Sequence, residues 1–259
     1  MIKSVKVAIP PVREAQPKWD LRLVLAVLAR VPFEPIGTCD FKYLTSKTAF
    51  LVLLGSACRR SELHALDYQT LQHDPHWKWV DLFTLPGFWA KHQASDTDPS
   101  RSRVYRLQAM DSTLDRKERL ICPVRALKWY VTRTAVARGT KRRLFLSLKS
   151  PKKDVHANTI TSWIKKLITY AYDHATPEER RVFQIDDGPP NLHRPAHEVR
   201  AWSSTISWLT GSISIQALME GCYWKSHSVF TNHYLRSVTV DTMEGLKVAS
   251  RFLPSKKHQ

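Results

Sequence analysis

His197-Glu198-Val199-Arg200, then Trp224, then Phe230-Thr231-Asn232-His233-Tyr234-Leu235-Arg236 form the stretch on which the reading of this chain turns. A His and an Arg three residues apart share one face of a helix. The Trp and the Tyr follow at intervals that let the chain fold back onto that face. The four side chains supply a proton-transfer group, a phosphate clamp, an indole donor and a phenol nucleophile. Far upstream, Arg59 in Cys58-Arg59-Arg60-Ser61-Glu62-Leu63 would complete a phosphate-binding set, with Arg60 as the competing choice.

Cleavage of a phosphodiester by a protein hydroxyl makes three demands. The nucleophile must sit in line, the charge on the phosphate oxygens must be stabilised, and the leaving oxygen must receive a proton. Donors oriented before reaction meet the second demand best. Arginine suits it, because its planar fork matches two phosphate oxygens and its charge does not titrate. A tyrosine, with a free pKa of ~10, needs help in losing its proton. The set therefore points to cutting DNA through a covalent tyrosine–phosphate bond, which keeps the bond energy and allows rejoining without ATP or metal.

Composition agrees with an anionic partner. Among 259 residues, 40 Lys and Arg face 23 Asp and Glu, a formal charge of +17. A surplus of that size costs self-repulsion unless it meets an anion, and nucleic acid is the first candidate, an acidic membrane surface the second. No apolar run reaches the ~18 residues of a spanning helix. Hydrophobic residues make up 43%, enough for a sizeable core in one large domain or two small ones. Cys39, Cys58, Cys122 and Cys222 are scattered, so neither a zinc pair nor a disulfide framework is expected, and a reduced, intracellular setting fits. There is no His-Glu-x-x-His pattern and no evident carboxylate set for two metals, so no metal or other cofactor is expected.

Residues 1–18 read as an extended arm. Helical spacing begins at Trp19 and stops at Pro32 and Pro35. A second helix carries Phe50, Leu53, Leu54 and Ala57, with Thr45 and Ser46 as candidate N-caps, and a short one should span Ser61 to Leu66. Strand patterns follow at Tyr68 to Leu71, Trp77 to Phe83 and Arg103 to Leu107. Asp96, Asp98, Pro99 and Ser100 mark the turn of a long hairpin. Helices resume from Pro123 to Gly139, from Thr159 to Asp173, from His197 to Leu209, from Ile213 to Met219, and over Val229 to Leu235. The expected fold is mainly α with a small antiparallel β-sheet (α+β).

The order and spacing of these residues resemble the catalytic domain of tyrosine recombinases, the family of phage integrases and Cre. The likeness is closest to the recombinases of DIRS-type retrotransposons and runs from Trp19 to about Arg236. Arg59-Arg60-Ser61-Glu62-Leu63 is similar to the family's Arg-x-Ser-Glu-Leu motif. Ile121-Cys122-Pro123-Val124-Arg125-Ala126-Leu127 looks like the DIRS-type segment after the hairpin. His197-Glu198-Val199-Arg200 matches His-x-x-Arg, and Trp224 with Tyr234 matches the terminal motif.

The resemblance implies a role for each matching residue. Arg59 and Arg200 would hold the non-bridging oxygens of the scissile phosphate. Lys91, in the hairpin, would protonate the departing 5′ oxygen, with Lys78, Arg101 and Arg103 as rival cations. His197 would assist proton transfer from Tyr234 and bind the phosphate. Trp224 would give its indole N–H to a phosphate oxygen. Tyr234 would attack and leave a 3′-phosphotyrosyl link, and Glu62, three residues after Arg59, would stand behind the residues that touch the phosphate and orient the site.

It also implies a catalytic domain over 19–237, with a tail over 238–259. The apolar residues of the tail, Val238, Val240, Met243, Leu246 and Val248, would dock on a neighbouring subunit or pack on their own domain. The partners implied are double-stranded DNA, gripped also by basic clusters such as Arg101/Arg103/Arg106, Lys141/Arg142/Arg143 and Lys165/Lys166, and three further copies in a tetramer. In a eukaryote the site of action would be the nucleus. Two departures stand out. Family members usually carry a separate helical DNA-gripping domain ahead of the catalytic one, where this sequence has an arm of 18 residues. Ser56-Ala57-Cys58 replaces the more usual Thr-Gly-Leu before the arginine. The alternative expectation is therefore a DNA-binding module derived from a recombinase and no longer catalytic.

Overall fold

Phe50-Leu51-Val52-Leu53-Leu54 has no polar face, and the helix that contains it is buried all round from Lys47 to Ser56, as such a stretch must be in a globular protein. In a computed structural model of the chain, residues 18–90, 103–110, 116–149, 153–185, 188–210, 213–224 and 226–236 are described. The elements are helices α1 (Leu21–Leu28), α2 (Phe41–Ser56) and α3 (Arg60–His64), strands β1 (Leu66–His73), β2 (Trp79–Thr84) and β3 (Val104–Gln108), then helices α4 (Arg116–Leu120), α5 (Pro123–Arg138), α6 (Ala157–Asp173), α7 (Pro177–Phe183), α8 (Pro195–Leu209), α9 (Ile215–Gly221) and α10 (His227–His233). The fold is α+β: a helical body with one three-stranded antiparallel sheet of order β1-β2-β3.

Helix α2 is the axis of the main core, packed by α5, α6 and α8. Helix α6 shows why: Ile160, Trp163, Ile164, Leu167, Ile168 and Ala171 recur at helical spacing and all are buried. A second, smaller apolar cluster joins Ala57, Ala201, Leu218, Trp224, Phe230 and Tyr234. This cluster folds α9 and α10 back against α8 and the end of α2, so residues far apart in sequence share one place. Strand β3 pairs with β2 in register from Trp79 opposite Gln108 to Phe83 opposite Val104.

Element boundaries differ from the sequence reading in informative ways. Helix α2 begins at Phe41 after Asp40; Thr45 and Ser46 lie inside it, their hydroxyls bonded back to the carbonyls of Phe41 and Lys42. Strand β1 runs from Leu66, so the short helix before it ends at His64. Trp77 belongs to a turn, with φ +59°, where the Asp74 carboxylate accepts the amides of His76 and Lys78. Helix α10 ends at His233, which leaves Tyr234 just beyond its last turn. Helix α7 was not expected. The arm up to residue 17, Lys91, Arg101, the hairpin turn around Asp96 to Ser100 and the tail over 238–259 lie outside the described residues. Among the described residues no helix is long and apolar enough to cross a membrane.

Candidate functional site

Four segments converge on a cleft of about 560 Å³ lined by Arg59, Ser61, His197, Arg200, Trp224 and Tyr234, with Arg60, Arg194 and His233 exposed at its rim. Each segment has its own local cause. Arg59 is placed by a sharp turn after α2, where Ala57 adopts the left-handed region at φ +47°. That conformation costs an L-residue roughly 1–2 kcal/mol, and it falls where the resemblance expects glycine. Glu62 then reaches back to the Arg59 N–H at 2.5 Å and starts α3. Pro195 fixes the first turn of α8, which carries His197 and Arg200 on one face.

Glu62 is fully buried and gathers three arginines. Its Oε1 accepts Arg59 Nη1 at 2.8 Å and Arg103 Nη1 at 2.5 Å, and its Oε2 lies 3.6 Å from Arg200 Nη1. Burial pushes this carboxyl up, but Arg200, Arg59, the Arg59 amide and Arg103 outweigh it and hold Glu62 below the ordinary glutamate range. One carboxylate against three guanidinium groups leaves a local surplus of positive charge at the cleft floor.

Arg200 is 2% exposed. Its Nη2 donates to the Cys222 carbonyl at 2.6 Å, while Nε and Nη1 have no hydrogen-bond partner. The Trp224 indole N–H is also buried without an acceptor. A buried donor left unbonded costs about 1–3 kcal/mol, more when charged. Unbonded donors occur elsewhere in the fold, at Trp19, Tyr105, Arg138 and Trp202, but those of Arg200 and Trp224 belong to the side chains that line the cleft. The donor set suits an anion with several oxygens.

Tyr234 is 8% exposed, and its ring packs against two neighbours. The His197 ring stacks on it with centroids 4.6 Å apart, and the Trp224 ring is 4.7 Å away. The Arg200 guanidinium is 5.2 Å from the centroids of both the Tyr234 and Trp224 rings. Burial, the charge of Arg236 and then those of Arg200 and Arg194 pull His197 down to about 4 against the opposing pull of Glu198. His197 is therefore neutral at pH 7, and the same surroundings disfavour its protonated form. The backbone around Tyr234 is held by Thr205, whose hydroxyl donates to the Tyr234 carbonyl at 3.0 Å and accepts the Arg236 amide at 3.1 Å.

The structure thus brings together Arg59, Glu62, His197, Arg200, Trp224 and Tyr234, while Lys91 lies outside the described residues. Arg60, at the cleft rim, donates to Asn158 Oδ1 at 2.8 Å. Lys78 is exposed before β2, at the opposite end of the strand from Thr84, which meets Arg103. Of the basic residues assigned to a DNA-gripping surface, Arg103 is engaged inside the protein on Glu62, while Arg106 and Arg142 pair with Asp81 and Asp67 but keep their side chains exposed at the surface. Lys165 and Lys166 are exposed. Among the described residues no three His, Cys, Asp or Glu side chains gather as a metal-binding group.

Sequence reasoning missed Glu198, Arg236, Tyr223 and the inward role of Arg103. Only the first two had a signal: Glu198 sits inside the His-x-x-Arg motif and Arg236 two residues after the tyrosine. No known family model matches the chain, and neither the curated proteins nor the solved structures compared with it gave a match.

Proposed function

We propose that the chain binds the phosphodiester backbone of duplex DNA in this cleft and cuts one strand with Tyr234, as a tyrosine recombinase does. The observation that carries the reading is the set of unbonded buried donors, Arg200 Nε and Nη1 and Trp224 Nε1, in the cleft that Tyr234 also lines. In this reading Arg59 and Arg200 hold the non-bridging oxygens, with Trp224 adding a third donor. The Tyr234 oxygen bonds to phosphorus as its proton passes to neutral His197, and the phosphorus–5′-oxygen bond breaks. The freed 5′ oxygen takes a proton from Lys91. Reversal of the same steps by another 5′ hydroxyl rejoins DNA, so no cofactor is consumed. The same reading extends to four copies acting on two duplexes of a mobile element, in the nucleus if the host is a eukaryote.

A second reading has its own observation. His197 contacts Tyr234 by ring stacking rather than by a hydrogen bond, which favours a module that binds DNA without cutting it. A duplex nicked beside the cleavage point separates the two. A recombinase becomes trapped on it as an adduct that survives denaturant, and Tyr234→Phe does not. Binding without any adduct supports the module, and an adduct of equal yield with Tyr234→Phe removes Tyr234 as nucleophile.

A further inference from the structure

Strand β3 is an edge of the sheet, and edge strands leave backbone groups to be satisfied by something else. At Val104 that partner is a side chain. The Tyr223 hydroxyl accepts the Val104 N–H at 3.3 Å and donates to the Val104 carbonyl at 3.2 Å. One residue earlier, the Arg103 guanidinium lies 4.2 Å from the Tyr223 ring centroid while its Nη1 is bonded to Glu62. Arg103 is itself pinned to β2, its amide donating to Thr84 Oγ1 at 3.0 Å and its carbonyl accepting the Thr84 amide at 3.0 Å. Tyr223 holds a left-handed φ of +53°, a conformation that persists in a non-glycine residue only when its surroundings enforce it. Trp224 follows it directly.

Two contacts therefore brace the sheet edge against the segment that carries Trp224 and leads to Tyr234. Arg103 bears directly on Glu62, which spaces Arg59 and Arg200, and Tyr223 bears on it through the Arg103 guanidinium. We propose that Arg103 and Tyr223 form one positioning pair, which locks Glu62 and thereby sets the spacing of the two phosphate-facing arginines relative to Trp224. Neither side chain need touch the phosphate. The inference rests on the phosphate-binding reading of the cleft.

The test measures binding of inorganic phosphate to the full chain by calorimetry at low ionic strength, together with the rate of adduct formation on nicked duplex at saturating DNA. Tyr223→Phe keeps the ring beneath Arg103 and removes only the hydroxyl. It should weaken phosphate binding about tenfold, the weight of one or two hydrogen bonds, and slow adduct formation in parallel while the unfolding midpoint stays near that of wild type. Arg103→Gln should do at least as much, Arg103→Lys should recover part of the loss, and the double variant should be no worse than the weaker single, because the residues act as one unit. Phosphate affinities of both folded single variants within about twofold of wild type, or losses that multiply in the double variant, overturn the pair. Wild-type phosphate binding that Arg200→Ala leaves unchanged places the fault in the phosphate reading itself and removes the pair with it. Arg200-dependent phosphate binding without any adduct refutes strand cleavage alone, and the pair then stands or falls on the phosphate affinities.

Discussion

Arg236 forks onto Glu198 inside the fold, Nε to Oε1 at 2.8 Å and Nη2 to Oε2 at 2.9 Å. The two side chains are 5% and 2% exposed. The pair joins the residue after His197 to the residue two beyond Tyr234. It therefore ties the segment that follows the tyrosine to the helix that carries the histidine, without either charge entering the cleft lining.

Breaking one side of such a pair strands a buried charge. Glu198→Gln or Arg236→Met should each cost about 3–5 kcal/mol of stability, read by urea unfolding. Replacing both with apolar residues removes both charges at once, so the double variant Glu198→Leu/Arg236→Met should lose much less than the sum of the singles. Losses that simply add would show that the two groups do not depend on each other.

What the sequence reveals follows from how local each cause is. The helix carrying His197 and Arg200 is legible because Pro195 and a three-residue spacing act within one turn. Helix α6 is legible because its apolar period is complete. Helix α7 has no buried residue, so no period marks it; its only signals are Pro177 and the Thr176–Glu179 capping box. The end of α10 before Tyr234 has neither glycine nor proline to announce it. Arg103 looks like one member of a basic cluster because its meeting with Glu62 depends on strand register and on a chain fold 41 residues long, which no local pattern encodes.

The three arginines around Glu62 give a prediction about charge. Glu62→Gln keeps the shape but leaves three guanidinium groups facing a neutral amide, and should cost about 3–5 kcal/mol. Phosphate can then supply the missing negative charge. An anion that binds only the folded state raises its stability, so added phosphate should raise the unfolding midpoint of Glu62→Gln more than that of wild type. Equal shifts in the two proteins would mean that phosphate does not bind beside Glu62.

His197 gives a pH dependence whose sign can be worked out. Its folded pKa of about 4 lies below the unfolded value of 6.5. Between those values the unfolded chain binds the proton and the folded chain does not, so stability falls as pH drops through this window. Below the folded value both states are protonated and this slope ends. His197→Gln should flatten the fall between pH 6.5 and 4 relative to wild type, measured as the difference between the two stability curves. Identical slopes would show that His197 titrates alike in both states.

Trp224 separates packing from chemistry most directly. If its indole served only the core, Trp224→Phe would cost stability in proportion to the lost area and would leave phosphate untouched. Its N–H is buried without an acceptor, and removing an unbonded donor recovers about 1–3 kcal/mol that offsets the lost contacts. The unliganded variant should therefore sit well above Trp224→Ala, for which truncation of a buried Trp costs about 3–5 kcal/mol. Adduct formation on nicked DNA should fall by about 10²-fold in Trp224→Phe, the loss typical of one oriented donor to a developing oxyanion. A variant that loses stability like the alanine form yet forms adduct at the wild-type rate would assign Trp224 to the small apolar cluster alone, leaving Arg59 and Arg200 as the phosphate donors.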